Sequence, residues 1–477
     1  MAPLNLALIL SLLSQLSFQV SSSGLPPDQL TLLGNPQWST PPDINPTGET
    51  VCNLSEWSRS IKSQFLAEIS DGRANEWVIV MGNEAGDTDS MAGAIGWAYH
   101  LTHLKKHPQK AISLLQTVED ALDLRPENQL ALERSRMSPR HRDLLTIDEL
   151  PIKPFELSRH IGGIVLVDHN FPDPGWRHAP VVSIIDHHVD MKTNLTAVPR
   201  VITTSASCSS LVSKLILDAN EEGKHREFGK RSHHFPDELL FLLLRAIALD
   251  SGGLKSSKTY DVDLRSALRL FRRTSTYQDR LDAQMMGELQ AEMAEARSQL
   301  KPLDLRDLLR RDWKANALRT KSSDYPILTL GFASIPYSLV TQINRTPEAT
   351  IPEWFAIQRA FTSEIGADVS VILTKFSPTD IKEHELGDQE RELVIVVAHG
   401  WGKRLNSSAA TDLFKTLCAA AESGLEGLVP WHRPDGKSML PRRMAWRGLQ
   451  VGRKVVMPLV QDAARTWAYQ QTIQNHE

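Results

Sequence analysis

Residues 77–91 read WVIVMGNEAGDTDSM, an apolar run that reaches a glycine and continues as a polar loop. The continuous apolar residues 77–81 predict a short, fully buried strand. Asn83, Asp87 and Asp89 then lie where this strand passes into a helix, and ligands of open α/β sheets bind at that edge. Their amide and carboxylate oxygens suit Mg²⁺ or Mn²⁺, although an Asp in this position can also be only a helix N-cap.

Two further apolar runs, residues 162–170 and 181–190, also end in residue types that bind metals. The first reads GGIVLVDHN and the second reads VVSIIDHHVD. Their candidate ligands are Asp168, His169, Asp186, His187 and His188. One such strand is often no more than a capping Asp beside a solvated His. Three of them in one sheet predict a metal site at the strand ends.

Three motifs resemble the signature of the DHH phosphoesterase superfamily. They are N-x-x-x-D-x-D-S at 83–90, D-H-N at 168–170 and D-H-H at 186–188. Asn83, in place of the more usual His, resembles the exopolyphosphatase and prune-like branch rather than the family II inorganic pyrophosphatases. The resemblance covers most of the chain, from about residue 77 to about residue 459. It implies an α/β fold of two domains: an N-terminal, largely parallel sheet flanked by helices (DHH domain) and a smaller, mixed α/β C-terminal domain (DHHA2-like).

The length of 477 residues exceeds one ordinary hydrophobic core and also indicates two domains. We predict a metal-binding catalytic DHH domain over 51–262, a helical connection over 263–312 and a phosphate-binding DHHA2-like domain over 313–477. The formal net charge of −4 gives no general attraction to nucleic acid or to anionic membranes. The three cysteines lack metal spacing and imply no disulfide framework.

The amino-terminal segment differs in kind from the rest of the chain. Residues 4–20 are apolar but too short and too polar for a stable membrane span. Residues 1–23 can be a cleaved secretory signal, although no Lys or Arg precedes the apolar part. Residues 24–50 are rich in Pro and Gly and predict a flexible lead-in. Possible glycosylation sites occur at Asn53, Asn194, Asn344 and Asn406. The resemblance implies the cytoplasm, so localisation stays open between cytoplasm and secretion.

Residues 236–250, PDELLFLLLRAIALD, predict an apolar helix that ends at Asp250. A carboxylate at this end of a helix is unfavourable because of the helix dipole, and an adjacent cation would remove the penalty. The resembled superfamily has a metal-ligating Asp in this place, followed by a Gly-containing loop and a Lys. The resemblance therefore assigns Asp250 to the metal site and Lys258 to phosphate.

The carboxyl-terminal part carries a cluster of cations in an otherwise acidic chain. The cluster consists of Arg442, Arg443, Arg447, Arg453 and Lys454. Residues 452–458, GRKVVMP, resemble the S-R-K motif with which DHHA2-type domains bind phosphate, with Gly452 in place of Ser. Arg offers a planar fork that fits phosphate oxygens, and Lys adds a point charge. Lys314 in the sequence RDWK is a further predicted phosphate contact. The alternative for the cluster is a solvated basic turn.

The resemblance also implies a mechanism that uses two divalent cations, Mg²⁺ or Mn²⁺. The predicted metal ligands are Asn83, Asp87, Asp89, Asp168, His187 and Asp250. Asp168 is expected to bridge the ions, between which a water molecule becomes the nucleophile. Asp186 is expected to orient the imidazole ligand, and His188 to contact the phosphate under attack. Arg453 and Lys454 are expected to neutralise the leaving phosphate. Closure of the two domains would assemble the site.

The predicted reaction is the release of orthophosphate from the end of inorganic polyphosphate. An inorganic pyrophosphatase and a phosphodiesterase acting on cyclic or short nucleotides are open alternatives. A non-catalytic, prune-like interaction protein is a third. The complete set of charged ligands at strand ends favours an enzyme, because a scaffold has no physical need for it. The sequence does not determine the chain length of the substrate, the native metal or the oligomeric state.

Overall fold

The computed structural model describes residues 53–104, 107–222, 235–275, 283–376, 390–400, 403–431 and 445–470. The predicted signal segment 1–23, the predicted lead-in 24–50, Arg442 and Arg443 lie outside these ranges. None of the helices within these ranges has the length and apolar character that a membrane crossing needs.

Six parallel strands form the first sheet, in the order β3-β2-β1-β4-β5-β6. They are β1 (Trp77–Met81), β2 (Lys110–Leu115), β3 (Leu145–Thr146), β4 (Gly163–Val167), β5 (Val181–Asp186) and β6 (Arg200–Ile202). The strand order reverses between β1 and β4, which is where open α/β sheets bind ligands. Asp168 follows β4 directly and Asp186 ends β5, so both lie at the carboxyl edge beside this point.

Helices cover this sheet and continue beyond it along the chain. They are α1 (Leu54–Ser70), α2 (Thr88–Tyr99), α3 (Pro126–Arg134), α4 (Pro154–Leu157), α5 (Cys208–Glu222), α6 (Asp237–Ser251), α7 (Asp261–Phe271) and α8 (Ala283–Ser298). Every residue of α2 is buried, as in a helix surrounded by protein. A Cβ at Gly93 would lie 2.8 Å from Val167, and one at Gly96 would lie 3.2 Å from Leu243. The small residues predicted for this helix therefore bring it close to β4 and α6.

The second sheet is mixed, in the order β11-β12-β10-β9-β8-β7. Only β8 and β9 pair in parallel among these described strands. The strands are β7 (Trp313–Arg319), β8 (Ile327–Ile335), β9 (Val369–Thr374), β10 (Glu392–Val397), β11 (Val429–Pro430) and β12 (Ala445–Arg447). The helices are α9 (Leu305–Arg311), α10 (Leu339–Asn344), α11 (Ile351–Glu364), α12 (Ser407–Gly424) and α13 (Arg453–Thr466). The predicted fold class, a parallel α/β domain followed by a mixed one, is confirmed.

Three elements have no clear signal in the sequence. Residues 123–150 are polar and contain α3 and β3. The third element is strand β7. Most of its residues are partly or fully exposed, so it carries no continuous apolar run that would indicate a strand. The predicted domain boundaries stay predictions.

Buried polar contacts join the two domains next to α9. Arg311 donates from Nη2 to Oε1 of Glu127 at 2.6 Å and from Nε to the carbonyl oxygen of Leu124 at 2.8 Å. Arg125 donates in turn to the carbonyl oxygen of Arg311 at 2.7 Å. Breaking such charged, buried bonds is costly, so they fix the start of the second domain against α3.

Candidate active site

Asp168 lies at the centre of the candidate site. Its backbone is left-handed, with a φ of 65°, which Asp tolerates better than most residues. Its Oδ2 accepts hydrogen bonds from Nδ2 of Asn83 at 2.8 Å and from Oγ of Ser90 at 2.7 Å. Its Oδ1 is buried and accepts no hydrogen bond from the described residues, although Nε2 of His187 lies 3.2 Å away. A buried carboxylate oxygen without a donor is costly, and a cation at this atom would remove the cost.

The ring of His187 is oriented so that Nε2 is near Asp168. Its Nδ1 lies 3.0 Å from the carbonyl oxygen of Ser205, so Nδ1 carries a hydrogen and donates it. This arrangement leaves the Nε2 lone pair for a metal. Burial acts to lower the pKa of His187, but the adjacent Asp168 carboxylate and the charge of Asp89 raise that pKa to about 10. The protein alone thus favours a positive charge at this position.

The same contact acts on Asp168 in the opposite direction. Burial acts to raise the pKa of Asp168, but the adjacent His187 ring and the charge of His188 hold that pKa below its ordinary value. The carboxylate therefore stays ionised at neutral pH. An ionised oxygen ligand is what a divalent cation requires.

Asp186 positions His188. Its Oδ1 lies 2.8 Å from Nδ1 of His188 and also accepts the backbone N–H groups of His187 at 2.8 Å and His188 at 3.2 Å. The carbonyl oxygen of Ser205 holds the ring of His187, while Asp186 holds only the backbone of that residue, so the role of Asp186 in orienting the imidazole ligand stays a prediction. The His188 side chain is 33% exposed, so it is accessible to a substrate.

Asp87 and Asp89 both have structural partners. Asp87 is the N-cap of α2, and its Oδ1 accepts a backbone N–H of the first helical turn at 3.0 Å. The carboxylate of Asp89 binds the amino end of α5, where it accepts from Oγ of Ser207 at 2.6 Å, from N of Cys208 at 2.6 Å and from N of Ser209 at 2.8 Å. The capping alternative is therefore correct for Asp87. It does not exclude metal binding, because a carboxylate has about four acceptor positions.

Asp250 lies in the last turn of α6, close to the predicted helix end. Its carboxylate accepts no hydrogen bond from the described residues, and burial together with the charges of Asp89 and Asp87 raises its pKa well above the usual value. Burial and the charge of Asp168 likewise raise the pKa of Asp89 to about 6. Carboxylates crowded in this way repel each other, and a divalent cation would reverse the sign of their interaction.

Asp168, His187 and His188 each offer one ligand atom, and the three atoms lie within 4.8 Å of one another. The carboxylates of α2 and α6 lie outside this group and act on it through their charges. Carboxylate oxygens and imidazole nitrogens are the donors that Mg²⁺ and Mn²⁺ accept. The described residues therefore fit a divalent cation.

The amide of Asn83 is held between two neighbours. Its oxygen accepts the backbone N–H of Ala85 at 3.0 Å, and its nitrogen donates to Oδ2 of Asp168. One neighbour is a donor and the other an acceptor, which fixes the orientation of the amide. The amide thus positions Asp168, and because its oxygen keeps a second acceptor position, the prediction that this oxygen is a metal ligand stays a prediction.

Arg453 is the first residue of α13 and is held by Asp312. Its Nη1 donates to Oδ1 of Asp312 at 3.0 Å and to the carbonyl oxygen of Asp312 at 3.2 Å. Burial acts to raise the pKa of Asp312, but the charges of Arg453, Arg125 and Lys314 lower it to about 2. Lys314, on β7, also lowers the pKa of Asp168. The predicted phosphate contacts Arg453 and Lys314 therefore lie on the side of the second domain that faces the carboxylates of the candidate site.

The loop before α2 is bonded to the second domain. Oε1 of Glu84 accepts the backbone N–H of Ala315 at 3.0 Å. The other predicted phosphate contacts that the structure describes are exposed, and none of them contacts the carboxylates of the candidate site. They are Lys454, Lys258 and Arg447. Arg442 and Arg443 lie outside the described residues.

Two family models match the chain. The "DHH family, N-terminal domain" model matches residues 77–247, and the "DHHA2 domain" model matches residues 291–463. The chain contains a DHH N-terminal domain followed by a DHHA2 domain. Both domains and their order agree with the resemblance carried by the motifs.

Named relatives support the exopolyphosphatase and prune-like branch of this family. The chain is 29% identical over 218 residues to a Schizosaccharomyces pombe protein named "Putative exopolyphosphatase", and the match covers 44% of this chain and 54% of that protein. It is 27% identical over 161 residues to "Exopolyphosphatase PRUNE1" of Rattus norvegicus, covering 32% of this chain and 34% of that protein. The match thus spans about half the length of the first of these relatives and a third of the second.

A solved structure shares the fold. The crystal structure of the Methanococcus jannaschii "putative family II inorganic pyrophosphatase" matches with a TM-score of 0.50 and 18% identity. The match covers 81% of this chain and 99% of that one. At this identity the likeness shows the fold and not the substrate.

Several residues of the DHH and DHHA2 domains that build the site were missed from the sequence. Ser90 donates to Asp168, the carbonyl oxygen of Ser205 orients His187, and Asp312 holds Arg453. Ser90 and Asp312 were within the quoted motifs, so their polar character next to predicted ligands was the available signal. The role of Ser205 is a backbone contact across the sheet, and no residue type announces it.

Proposed function

We propose that this chain is a metal-dependent phosphoanhydride hydrolase that releases orthophosphate from the end of inorganic polyphosphate. The observation that carries the proposal is the buried Oδ1 of Asp168, which lacks a hydrogen bond and lies within reach of the charge of Lys314. Cleavage of a phosphoanhydride needs both a cation site and fixed positive charges for the phosphate oxygens. The names of the yeast and rat relatives support polyphosphate as the substrate.

The residues that would hold two divalent cations are Asp87, Asp89, Asp168, His187 and Asp250. When bound, such cations lower the pKa of a water molecule and so supply a nucleophile at neutral pH. Asp168 is the proposed bridge, because its Oδ1 is free of hydrogen bonds while Asn83 and Ser90 fix its Oδ2. The hydrogen bonds that hold Asp168 would keep it in one rotamer through the reaction.

His188 would contact the phosphate under attack. Asp186 accepts the hydrogen on Nδ1, so the ring cannot turn freely and its Nε2 is directed by that bond. A ring held in this way can donate a proton to a phosphate oxygen when doubly protonated. Asp186 would stabilise that charged form, in the manner of a carboxylate behind a catalytic imidazole.

Arg453 and Lys454 would receive the charge that develops on the leaving phosphate chain. They are the first two residues of α13, whose free backbone N–H groups and dipole also favour an anion. Asp312 uses one nitrogen of the Arg453 guanidinium, which leaves its remaining donors for phosphate. Because Asp312 fixes the guanidinium in advance, little conformational entropy is lost when substrate binds.

The test is a phosphate-release assay of the purified protein with Mg²⁺ or Mn²⁺. The substrates are pyrophosphate, tripolyphosphate, long polyphosphate and a cyclic nucleotide. We expect release from long polyphosphate and tripolyphosphate that stops in excess chelator and returns when the cation is restored. Release from pyrophosphate alone would replace the proposal with a pyrophosphatase, and hydrolysis of the cyclic nucleotide alone would replace it with a phosphodiesterase. A protein inactive on all four substrates would support a non-catalytic role.

A further inference from the structure

Four cations that lie near one another have no side-chain partner among the described residues. They are Lys258, Arg297, Lys375 and Arg391. Within the described part of the chain, none of their side chains forms a hydrogen bond or an ion pair. Lys258, Arg297 and Lys375 are exposed, and Arg391 is partly buried. In a chain with a net charge of −4, cations gathered without a carboxylate need a reason other than folding.

Lys375 and Arg391 lie opposite each other in the antiparallel pair of β9 and β10. Leu373 pairs with Leu393, and Phe376 forms a bridge with Glu390. The register between these two pairs places Lys375 directly across from Arg391. Like charges in that position are destabilising. The two cations, side by side at this end of the β9–β10 pair, therefore lower the stability of the fold.

Arg391 also reaches the predicted phosphate-binding turn. A Cβ added to Gly452 would lie 3.1 Å from Nη1 of Arg391, which is closer than ordinary contact. Gly452 is the N-cap of α13, directly before Arg453. The resembled motif has Ser at this position, so the glycine loses a hydroxyl and makes room for a guanidinium.

Lys258 and Arg297 complete the group from outside the second sheet. Lys258 follows α6, which carries Asp250, and Arg297 lies in the last turn of α8. Burial and the charges of Arg391, Lys258 and Arg297 lower the pKa of Lys375, so each of the three is close enough to repel Lys375. Arg297 also acts on Asp250. The group of four thus extends from the surroundings of Asp250 to the start of α13.

We propose that Lys375 and Arg391, together with Lys258 and Arg297, bind phosphates of the polyphosphate chain beyond the one that is cleaved. A linear polyanion carries a charge on every phosphate and would neutralise all four cations at once, which pyrophosphate is too short to do. The group would therefore select long chains over pyrophosphate. This inference rests on the proposed function, since it assumes that the terminal phosphate of polyphosphate is bound and cleaved at the carboxylates of the candidate site.

The test compares the Lys375→Gln/Arg391→Gln variant with the parent on long polyphosphate and on the shortest phosphate that the parent hydrolyses. We expect kcat/KM for long polyphosphate to fall by about tenfold to a hundredfold, mainly through KM. We expect kcat/KM for the short substrate to change by less than about twofold, below the cost of one charged contact. The exposed single variant Lys375→Gln should show a smaller loss in the same direction, and it tests the inference if the double variant does not fold.

The matched control is Arg359→Gln/Lys415→Gln. It removes the same charge from the same domain, at two exposed helix positions that do not act on the pKa of Lys375. An equal loss in this control would mean that general charge steers the polyanion, and it would overturn the inference. Equal losses on both substrates, or no loss on either, in the Lys375→Gln/Arg391→Gln protein would also overturn it.

A binding measurement separates this inference from the proposed function. Titration calorimetry with long polyphosphate and with pyrophosphate needs no turnover. The parent could hydrolyse neither compound while the double variant binds long polyphosphate, but not pyrophosphate, about tenfold or more weakly than the parent. In that case the phosphate-binding group stands and the proposed reaction fails. If the parent is active and both proteins bind long polyphosphate equally, the reaction stands and the group has no such role.

Discussion

The acidic and basic halves of the site are built in opposite ways. In the DHH domain, Asp168 and Asp89 are buried, and hydrogen bonds from neighbouring residues hold their carboxylates in place. In the DHHA2 domain, Lys454 and Lys375 are exposed and have no side-chain partner among the described residues. A site that holds metal ions needs fixed ligands, whereas a site for a flexible polyanion needs charge and tolerates movement. The contrast predicts that substitutions in the first half affect turnover, and that substitutions of exposed cations such as Lys375 affect mainly substrate binding. Arg453, which Asp312 holds, should affect both.

The largest expected effect is that of Asp168→Ala. Because Asp168 is the proposed bridge between cations, we expect turnover to be lost, with the fold retained. In the metal-free protein the Asp168 carboxylate is stabilised by His187 and accepts hydrogen bonds from Asn83 and Ser90, so the metal-free variant should be less stable than the metal-free parent. Steady-state phosphate release and urea unfolding in chelator measure the two quantities.

The exposed Asp123→Ala serves as the control, since it removes a carboxylate of the same domain outside the site. A kcat for Asp168→Ala above about a tenth of the parental value, which is less than about 1.4 kcal/mol in activation free energy, would place the bridge elsewhere.

Arg453→Ala should have the next largest effect. The lost charged hydrogen bonds are worth about 1.5 to 3 kcal/mol, so kcat/KM on polyphosphate should fall by about tenfold to a hundredfold. The contact strengthens as charge develops, so kcat should fall while KM rises. Arg465→Ala, at the exposed end of the same helix, is the control. Losses within about twofold in both proteins, well below one charged bond, would make the start of α13 a solvated basic turn.

Glu84 gives a smaller effect that depends on pH. Burial and the charge of Asp173 raise the pKa of Glu84 from 4.5 to about 7, so the folded state binds a proton more tightly than the unfolded state. Its contribution to stability is therefore fully present below pH 4.5 and lost as the pH rises through 7. The isosteric Glu84→Gln keeps an acceptor for Ala315 and does not titrate.

The free energy of unfolding of Glu84→Gln should equal that of the parent near pH 4.5 and exceed it by at most about 3 kcal/mol above pH 7. Denaturant unfolding of both proteins in chelator across this pH range measures the difference. If the difference in unfolding free energy between the two proteins does not change with pH, Glu84 has the same pKa in the folded and unfolded states. That result would contradict a raised pKa of Glu84 in the folded protein.

The sequence predicted the acidic half better than the basic half for a physical reason. Each acidic residue follows a continuous apolar run, as Asp168 follows β4, so a local pattern announces both the strand and the ligand at its end. The opposition of Lys375 and Arg391 depends on the register between two strands, which no local pattern specifies. The orientation of the Asn83 amide is likewise set by contacts with Ala85 and Asp168. Residue types thus located the metal ligands, and only tertiary contacts identified the groups that hold them.

Titration of Mn²⁺ into the parent, Asp168→Ala and Arg453→Ala proteins tests the division between the two halves most directly. We expect Asp168→Ala to bind Mn²⁺ at least about tenfold more weakly than the parent. Arg453→Ala should bind Mn²⁺ like the parent, because Arg453 contacts Asp312 and none of the proposed metal ligands. Undiminished binding by Asp168→Ala, or an equal loss in both variants, would contradict the claim that the strand ends of the DHH domain hold the cations while the DHHA2 domain holds the phosphate.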